Sequence, residues 1–203
     1  MPAAVKDRRH ELLSLLAPTA IAERSAPVSL RQFAIKAGVS EPTLRHFFAD
    51  RRGVVIALIG YFAEGARQFL EESAKPADTL QEAVSGYGAL ALAGAQSDLF
   101  AQAHAFALVE SIHDPEVAKA YLERIIEPSL QALELRLGPS VDPDNANPDR
   151  VRHAALALYA PALIAILHQR LLKGDEVRPL DMSAFVSDLT TLFTDGMKPK
   201  AAP

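Results

Sequence analysis

Apolar residues recur at spacings of three or four along almost the whole chain. This period is that of an amphipathic α-helix, whereas strict alternation of apolar and polar residues is typical of a β-strand. No convincing alternation is present, and Ala, Leu, Glu and Arg, which favour helices, are abundant. The pattern therefore predicts an all-α protein of about nine helices.

Helix starts and stops are well marked near the beginning of the chain. Ser29 and Ser40 are typical N-cap residues, and Asp50 is placed to cap a long helix that we expect to reach Ala74. Gly38 is predicted to end the helix that starts after Ser29, because glycine readily takes the left-handed conformation of a helix C-terminus. Two short helices joined by a tight turn are therefore expected before the long one.

The remaining boundaries are predicted from the same signals. Further helices are expected to begin at Asp78, Asp114 and Asn147. C-terminal caps are expected at Gly138, Gly174 and Gly196. We also expect a polar loop over residues 139–147 and a frayed, disordered tail over residues 198–203.

Composition narrows the class of protein. The 203-residue chain is 49% hydrophobic, which is ample for a packed core. It lacks cysteine, which excludes disulfides and thiolate metal sites. No apolar run of about 18 residues suits a membrane span, and no secretory signal is recognised. We expect a soluble cytoplasmic protein without a membrane partner.

Charge is distributed unevenly within the net charge of −4. Residues 1–52 carry nine Lys/Arg against five Asp/Glu, whereas residues 53–203 carry twelve against twenty. A basic end attached to an acidic body is the pattern expected when only that end meets a polyanion. Chance surface composition is the alternative explanation.

The segment from Val28 to Val54 matches a helix-turn-helix in length and turn chemistry. A helix over Leu30–Ala37 is followed by the turn Gly38-Val39-Ser40 and a second helix over about Glu41–Phe47. In this motif the second helix enters the DNA major groove, and its N-terminal half contacts base edges. A short helix–glycine–helix corner also occurs in proteins that bind no DNA, so the motif alone leaves both interpretations open.

The residues expected on the outer face of the second helix suit contact with DNA. Arg45 is able to donate two hydrogen bonds to guanine or to bind a phosphate, while Pro42 and Thr43 are small enough to contact a thymine methyl. Helix termini suit phosphate contacts, which set the docking register. The candidate DNA-contacting residues are Ser29, Gln32, Ser40, Glu41, Pro42, Thr43, Arg45, His46 and Arg51.

The same segment resembles the DNA-binding domain of TetR-family transcriptional regulators. The residues that carry the resemblance are Ser29, Ala34, the turn Ala37-Gly38-Val39-Ser40, Thr43-Leu44, Phe48 and Arg51. Arg45 stands where the family usually has tyrosine, a phosphate contact, so its own contact is left open between phosphate and base. Beyond this segment the resemblance is one of total length and of an all-helical remainder.

The resemblance implies a homodimer that represses transcription from a palindromic double-stranded DNA operator until a small-molecule effector releases it. It also implies that the last two long helices, over 149–173 and 183–194, pair with their mates as a four-helix bundle. Ordinary intramolecular core is the alternative for their apolar surface. The expected domains are a DNA-binding domain over 1–52 and a ligand-binding and dimerisation domain over 53–197.

A ligand pocket is expected in the helical body, where aromatic and polar residues occur among small ones. Each of these residues taken singly is more often part of an ordinary core, so the prediction concerns the group. The candidate ligand-binding residues are Tyr61, Phe62, Phe69, Tyr87, Phe100, His104, Glu110 and Tyr159.

Motifs for enzymes, metals and cofactors are not recognised. Glu110-Ser-Ile-His113 has the carboxylate–histidine spacing of a di-iron bundle, but that site needs a second such pair. The stretch Gly86–Ala91 fits a dinucleotide loop only loosely, and no strand precedes it. We therefore expect no enzyme activity, no metal and no cofactor. The alternative is a helical small-molecule binding or catalytic protein with a vestigial helix-turn-helix.

Overall fold

The computed structural model describes residues 3–22 and 28–197, and all regular secondary structure in these ranges is helical. Twelve α-helical segments occur there, the shortest being the four-residue α11. They are α1 (Ala3–Ala22), α2 (Leu30–Lys36), α3 (Glu41–Phe48), α4 (Arg51–Gly65), α5 (Arg67–Ser73), α6 (Leu80–Gln96), α7 (Asp98–His113), α8 (Pro115–Tyr121), α9 (Glu127–Val141), α10 (Pro148–Arg170), α11 (Gly174–Val177) and α12 (Met182–Met197). The all-α class is confirmed, whereas the expected count of about nine helices is not.

The additional segments arise from interruptions that the periodicity does not reveal. The helix expected from Asp50 to Ala74 is divided into α4 and α5 after Gly65, a residue of low helix propensity. A π-helical turn, Leu122–Ile126, separates α8 from α9. Pro128 follows this turn and has no N–H to donate to the carbonyl four residues earlier, which favours local distortion of the hydrogen-bond ladder.

The predicted caps around the helix-turn-helix are confirmed. Ser29 accepts a hydrogen bond from the Gln32 N–H at 3.2 Å, and the Gln32 side chain accepts one from the Ser29 N–H at 2.8 Å. Ser40 and Asp50 cap α3 and α4, each accepting an N–H bond three residues ahead. Gly38 has a φ of +65°, as the predicted turn requires.

Two of the later boundaries are confirmed and others are wrong. Asp114 and Asn147 cap α8 and α10 as expected, but α6 is capped by Thr79 rather than Asp78. Thr79 forms a complete capping box with Glu82, which satisfies more N–H groups than a cap at Asp78 with Gln81. The other misplaced caps are those at Gly138, Gly174 and Gly196.

None of these three glycines directly follows the last residue of a helix, and at Gly138 the reason is apolar burial that continues past it. Gly138 lies inside α9, where buried Leu137 and Val141 extend the apolar face, so the loop expected over 139–147 is shorter. Gly174 begins α11, and Gly196 lies within α12. The tail predicted over 198–203 lies outside the described residues.

The chain forms two compact units. The first comprises the described residues up to Ala66 together with Gln102–Ile126, and the second comprises Arg67–Ala101 together with the described residues from Glu127 onward. The division groups residues by their contacts, and the expected functional domains over 1–52 and 53–197 stay a prediction. Helix α4 belongs with the helix-turn-helix because its apolar side chains are buried in the same core.

The core of the first unit positions the helix-turn-helix. Leu12 of α1, Phe33 of α2, Leu44 of α3 and Leu58 of α4 are all fully buried in one cluster. Burying side chains of this size contributes about 1.5–3 kcal/mol each. The core therefore holds α2 and α3 in a defined orientation on α1 and α4.

The second unit is a bundle in which α10 packs on α9, and α12 packs on α6. Leu133 and Leu137 of α9, Leu158 of α10 and Val84 of α6 are among its fully buried residues. Helix α10 is long and apolar enough to cross a membrane by length and composition, but half of that stretch is buried inside the protein, as in a core helix.

A close backbone approach defines the corner between α3 and α4. Ala49 has a φ of +68°, and the Asp50 N–H donates to the Phe48 carbonyl at 2.9 Å. A Cβ atom on Gly53 would lie 1.7 Å from the same carbonyl oxygen. Position 53 therefore tolerates only glycine unless the backbone of the corner moves.

The corner yields a stability prediction. We expect Gly53→Ala to lower the free energy of unfolding by roughly 2 kcal/mol or more, because the clash is with backbone rather than with a movable side chain. Gly65→Ala is the matched control in the same helix, since nothing lies within 4 Å of its Cβ position. Urea denaturation followed by circular dichroism measures both. Equal effects of the two substitutions would contradict the proposed constraint.

Candidate nucleic-acid interface and ligand cavity

Helix α3 presents a polar face to solvent. Leu44 and Phe48 are buried, whereas Pro42, Arg45 and His46 are exposed on the opposite side. This division follows from the amphipathic spacing of the helix, in which residues four apart share a face. The exposed face is that of the helix that contacts base edges in helix-turn-helix proteins.

Arg45 pairs with Glu41 one turn earlier on this face. The guanidinium lies 2.8 Å from the carboxylate, and the Arg45 side chain remains 57% exposed. An exposed pair at this spacing stabilises a helix by only about 0.3–0.5 kcal/mol. A phosphate or a guanine edge could therefore replace Glu41 as the partner at small cost.

The capping residues of α2 and α3 are exposed but occupied with their own helices. Ser29 and Gln32 complete the capping box described above. The Ser40 hydroxyl accepts from the Thr43 N–H at 3.2 Å and lies 2.8 Å from the Thr43 hydroxyl. These contacts orient the N-termini of both helices, where backbone N–H groups favour an anion.

Arg51 is directed into the protein. Its Nε donates to the Val28 carbonyl at 2.7 Å, and its terminal nitrogen lies 2.5 Å from the Glu110 carboxylate. The Arg51 side chain is 34% exposed and that of Glu110 only 7%. The phosphate contact expected for Arg51 and the ligand contact expected for Glu110 are not available while this pair is made, since each side chain satisfies the other.

Two basic residues that sequence reasoning did not select lie on the surface of α2. Arg31 and Lys36 are exposed, and neither forms an ion pair with any residue in the described ranges. Their positions in the sequence could have identified them, because Arg31 follows the Ser29 cap and Lys36 precedes the Gly38 turn. They are better placed than Arg51 to neutralise phosphates.

A second surface pair joins the start of α4 to the cap of α8. Arg52 lies 2.6 Å from Asp114, and this hydrogen bond lowers the pKa of the Asp114 carboxyl. Both groups are accessible to solvent, so screening limits what the pair contributes.

Four of the eight predicted ligand-binding residues lie in the first unit and are engaged there. His104 is buried and its Nδ1 lies 2.8 Å from the Tyr121 hydroxyl. Burial lowers the pKa of His104 to about 4, so the ring is neutral near pH 7. Phe62 packs edge-on against Phe106. The remaining two, Tyr61 and Glu110, contact His10 and Arg51 respectively.

The other four residues line one cavity in the second unit. Phe69, Tyr87, Phe100 and Tyr159 surround it, and apolar residues of α6 and α10 complete the lining. The Phe69 and Phe100 rings are 6.0 Å apart between centroids. The cavity is about 10 Å³, which is roughly the space that one water occupies. A ligand of ordinary size would have to open it.

The polar groups of this cavity are two buried phenols. Burial raises the pKa of Tyr159 to about 12 and also raises the pKa of Tyr87, so both are neutral under ordinary conditions. The Tyr159 hydroxyl makes no hydrogen bond within the described residues, although Ser129 is near enough to act on its pKa. A bound molecule could accept a hydrogen bond from this phenol.

Metal chemistry has no support in the described part of the chain. No group of three or more His, Asp or Glu residues suitable for a metal ion occurs there. Glu110, which the sequence places near His113, is paired with Arg51 instead.

Several solved structures have a fold similar to that of this chain. A TetR-family transcriptional regulator from Rhodococcus sp. has a TM-score of 0.68 at 16% identity, covering 94% of this chain and 100% of that one. A TetR-family regulator from Mesorhizobium loti gives 0.67 at 16% identity, with 97% of each chain covered. FadR from Bacillus subtilis, solved in complex with stearoyl-CoA, gives 0.63 at 19% identity, covering 92% of this chain and 97% of that one.

Neither the protein-family models nor the curated proteins compared with this sequence match it. The likeness therefore lies in the three-dimensional arrangement of helices rather than in the sequence. The chain has the fold of TetR-family transcriptional regulators.

Proposed function

We propose that this protein is a TetR-family transcriptional regulator: a cytoplasmic homodimer that binds a palindromic DNA operator and is released by a small-molecule effector, most simply as a repressor. The observation that carries the proposal is the exposed face of α3. Its buried side anchors the helix, and its polar side presents Pro42, Arg45 and His46. The basic end of the chain provides the charge that DNA binding requires.

The alternative of a vestigial helix-turn-helix requires the outer face of α3 to be buried or blocked by its own unit. Arg45 and His46 are exposed, and the pair that Arg45 makes with Glu41 is weak. The similar structures are transcriptional regulators rather than enzymes. These observations favour the regulator.

Dimerisation follows from the geometry of DNA and from exposed apolar surface. A two-fold operator presents half-sites about 34–36 Å apart, which a C2 dimer matches. Leu156 and Ile164 of α10 are 50% and 62% exposed, and Leu192 of α12 is 72% exposed. A surface groove of about 740 Å³ lies between α10 and α12. A second copy of the chain would cover these apolar residues.

An effector site is proposed in the second unit, at the cavity lined by Phe69, Tyr87, Phe100 and Tyr159. One protein of similar fold, Bacillus subtilis FadR, was solved with stearoyl-CoA, which supports a fold able to hold a small molecule. Binding that favours a spacing of the two α3 helices unsuited to the operator would release DNA. The coupling is reciprocal, so the operator would also weaken effector binding.

Arg45 tests the proposed interface directly. We expect Arg45→Ala to weaken binding to the preferred operator by about tenfold or more, since a base or phosphate contact contributes about 1–3 kcal/mol. The operator is first selected from a random DNA pool, and fluorescence anisotropy then gives Kd. Arg67→Ala is the matched control, because Arg67 is an exposed arginine in an i,i+4 pair with Glu71.

If the Arg45→Ala variant selects a different DNA sequence from the random pool, Arg45 contacts a base. If the variant selects the same sequence, Arg45 contacts a phosphate. Wild-type Kd in both variants would contradict a DNA-contacting α3.

Salt dependence separates phosphate contacts from structural arginines. We expect Lys36→Met to reduce the slope of log K against log salt by about 1, because one fewer counterion is released. Arg51→Met should instead lower the free energy of unfolding by about 2 kcal/mol, because it leaves the Glu110 carboxylate buried and unpaired. A flattened slope in Arg51→Met with unchanged stability would restore Arg51 as a phosphate contact.

The dimer surface is tested by introducing charge. We expect Leu192→Asp to shift the protein from dimer to monomer in sedimentation velocity, since a carboxylate would be buried against the partner copy. Val177→Asp is the control, because Val177 is also a highly exposed apolar residue of the second unit but lies on α11. A Leu192→Asp protein that remains dimeric would place the interface elsewhere.

A further inference from the structure

Arg136 of α9 is a buried cation that forms no ion pair with the described residues. Its residue surface is 8% exposed, and no described carboxylate pairs with it. Glu72 acts on its charge from nearby, but the Glu72 carboxylate is bonded to Lys75 at 2.6 Å. Burial lowers the pKa of Arg136, which is the direction expected when a charged form loses water.

The hydrogen bonds of this guanidinium are incomplete. One terminal nitrogen donates to the Lys75 carbonyl at 2.8 Å, whereas the buried Nε has no partner in the part of the chain that the structure describes. A guanidinium presents several N–H donors in a planar fork that matches a carboxylate or phosphate. The side chain is thus equipped for an anion that the described residues do not supply.

Ser73 of α5 is a second buried polar residue in this unit. Ser73 is 2% exposed at the end of α5, and its buried hydroxyl has no hydrogen-bond partner among residues 3–22 and 28–197. It precedes by two residues the Lys75 carbonyl that Arg136 binds, and α5 packs on α9. Two unsatisfied polar groups therefore occur where these helices meet, which is uncommon in a protein interior.

This polar region shares two helices, α5 and α6, with the aromatic cavity. The other terminal nitrogen of Arg136 lies 3.1 Å from where a Cβ of Gly86 would stand, so the guanidinium occupies the space that this glycine leaves. Tyr87, the next residue of α6, lines the cavity, as does Phe69, one turn before Ser73 on α5. On α6, the residue that Arg136 approaches therefore directly precedes a residue of the cavity, and on α5 Ser73 lies four residues after one.

We propose that Arg136 binds the anionic group of the effector, with the aromatic cavity taking its apolar part. The effector class is an apolar carboxylate, whose two oxygens match the guanidinium fork and whose hydrocarbon would open the nearly closed cavity between the aromatic rings. Ser73 provides a further hydrogen bond to the same carboxylate. This inference rests on the proposed effector site in the second unit.

The test compares decanoate, decanol and inorganic phosphate by isothermal titration calorimetry on the full chain. We expect decanoate to bind about tenfold or more tightly than decanol, because a charge-assisted hydrogen bond in a buried site is lost with the alcohol. Phosphate alone should bind more weakly than decanoate, since it lacks the apolar part. Equal binding of decanoate and decanol by the wild-type protein would overturn the proposal without any variant.

Variants of Arg136 then test whether this side chain binds the carboxylate of decanoate. Arg136→Met should abolish the preference for decanoate while decanol binding persists, and Arg136→Lys should retain part of it. Arg124→Met is the control, because Arg124 also donates to a backbone carbonyl, that of Ile56, but is exposed. Undiminished preference in Arg136→Lys and Arg136→Met, or loss in Arg124→Met alone, would overturn the assignment.

DNA binding by the ligand-free protein is measured separately, so that the two proposals fail differently. If the protein binds the operator but shows no preference for decanoate, the anion site is contradicted and the proposed regulator is not. If the protein binds no DNA but shows a preference for decanoate that depends on Arg136, the proposed regulator is contradicted and the anion site is not.

Discussion

The burial of one side of α3 is the constraint on which the proposed function depends. Leu44 and Phe48 enter the core of the first unit, and this turns the polar residues between them toward solvent. The backbone contact of Gly53 with the Phe48 carbonyl sets the angle at which the chain leaves α3. An exposed recognition face is therefore a consequence of packing on the opposite side.

The same core engages the arginine that sequence similarity assigns to DNA. Arg51 joins the start of α4 to the Val28 carbonyl before α2 and to Glu110 on α7. A buried carboxylate needs such a partner, because an unpaired charge in a low-dielectric interior is costly. The pair ties the helix-turn-helix to α7, while Arg31 and Lys36 stay exposed on the surface of α2.

The second unit contains the opposite electrostatic situation. Arg136 is buried and forms no ion pair within residues 3–22 and 28–197, and the same unit contains a nearly closed aromatic cavity. Buried polar groups in native proteins normally have hydrogen-bond partners. Buried groups that lack one therefore indicate a candidate binding site. These donors are the groups assigned above to the carboxylate of the proposed effector.

Local signals in the sequence were sufficient for the all-α class, for the helix-turn-helix and for the caps at Ser29, Ser40 and Asp50, since each depends on residues three or four apart. They also selected the four aromatic residues that line the cavity, although as part of a larger set. Tertiary structure alone decided that Arg51 meets Glu110, 59 positions away, and that Arg136 is buried. Helical periodicity records which face is apolar, but the partner of a charged side chain is set by chain segments distant in sequence.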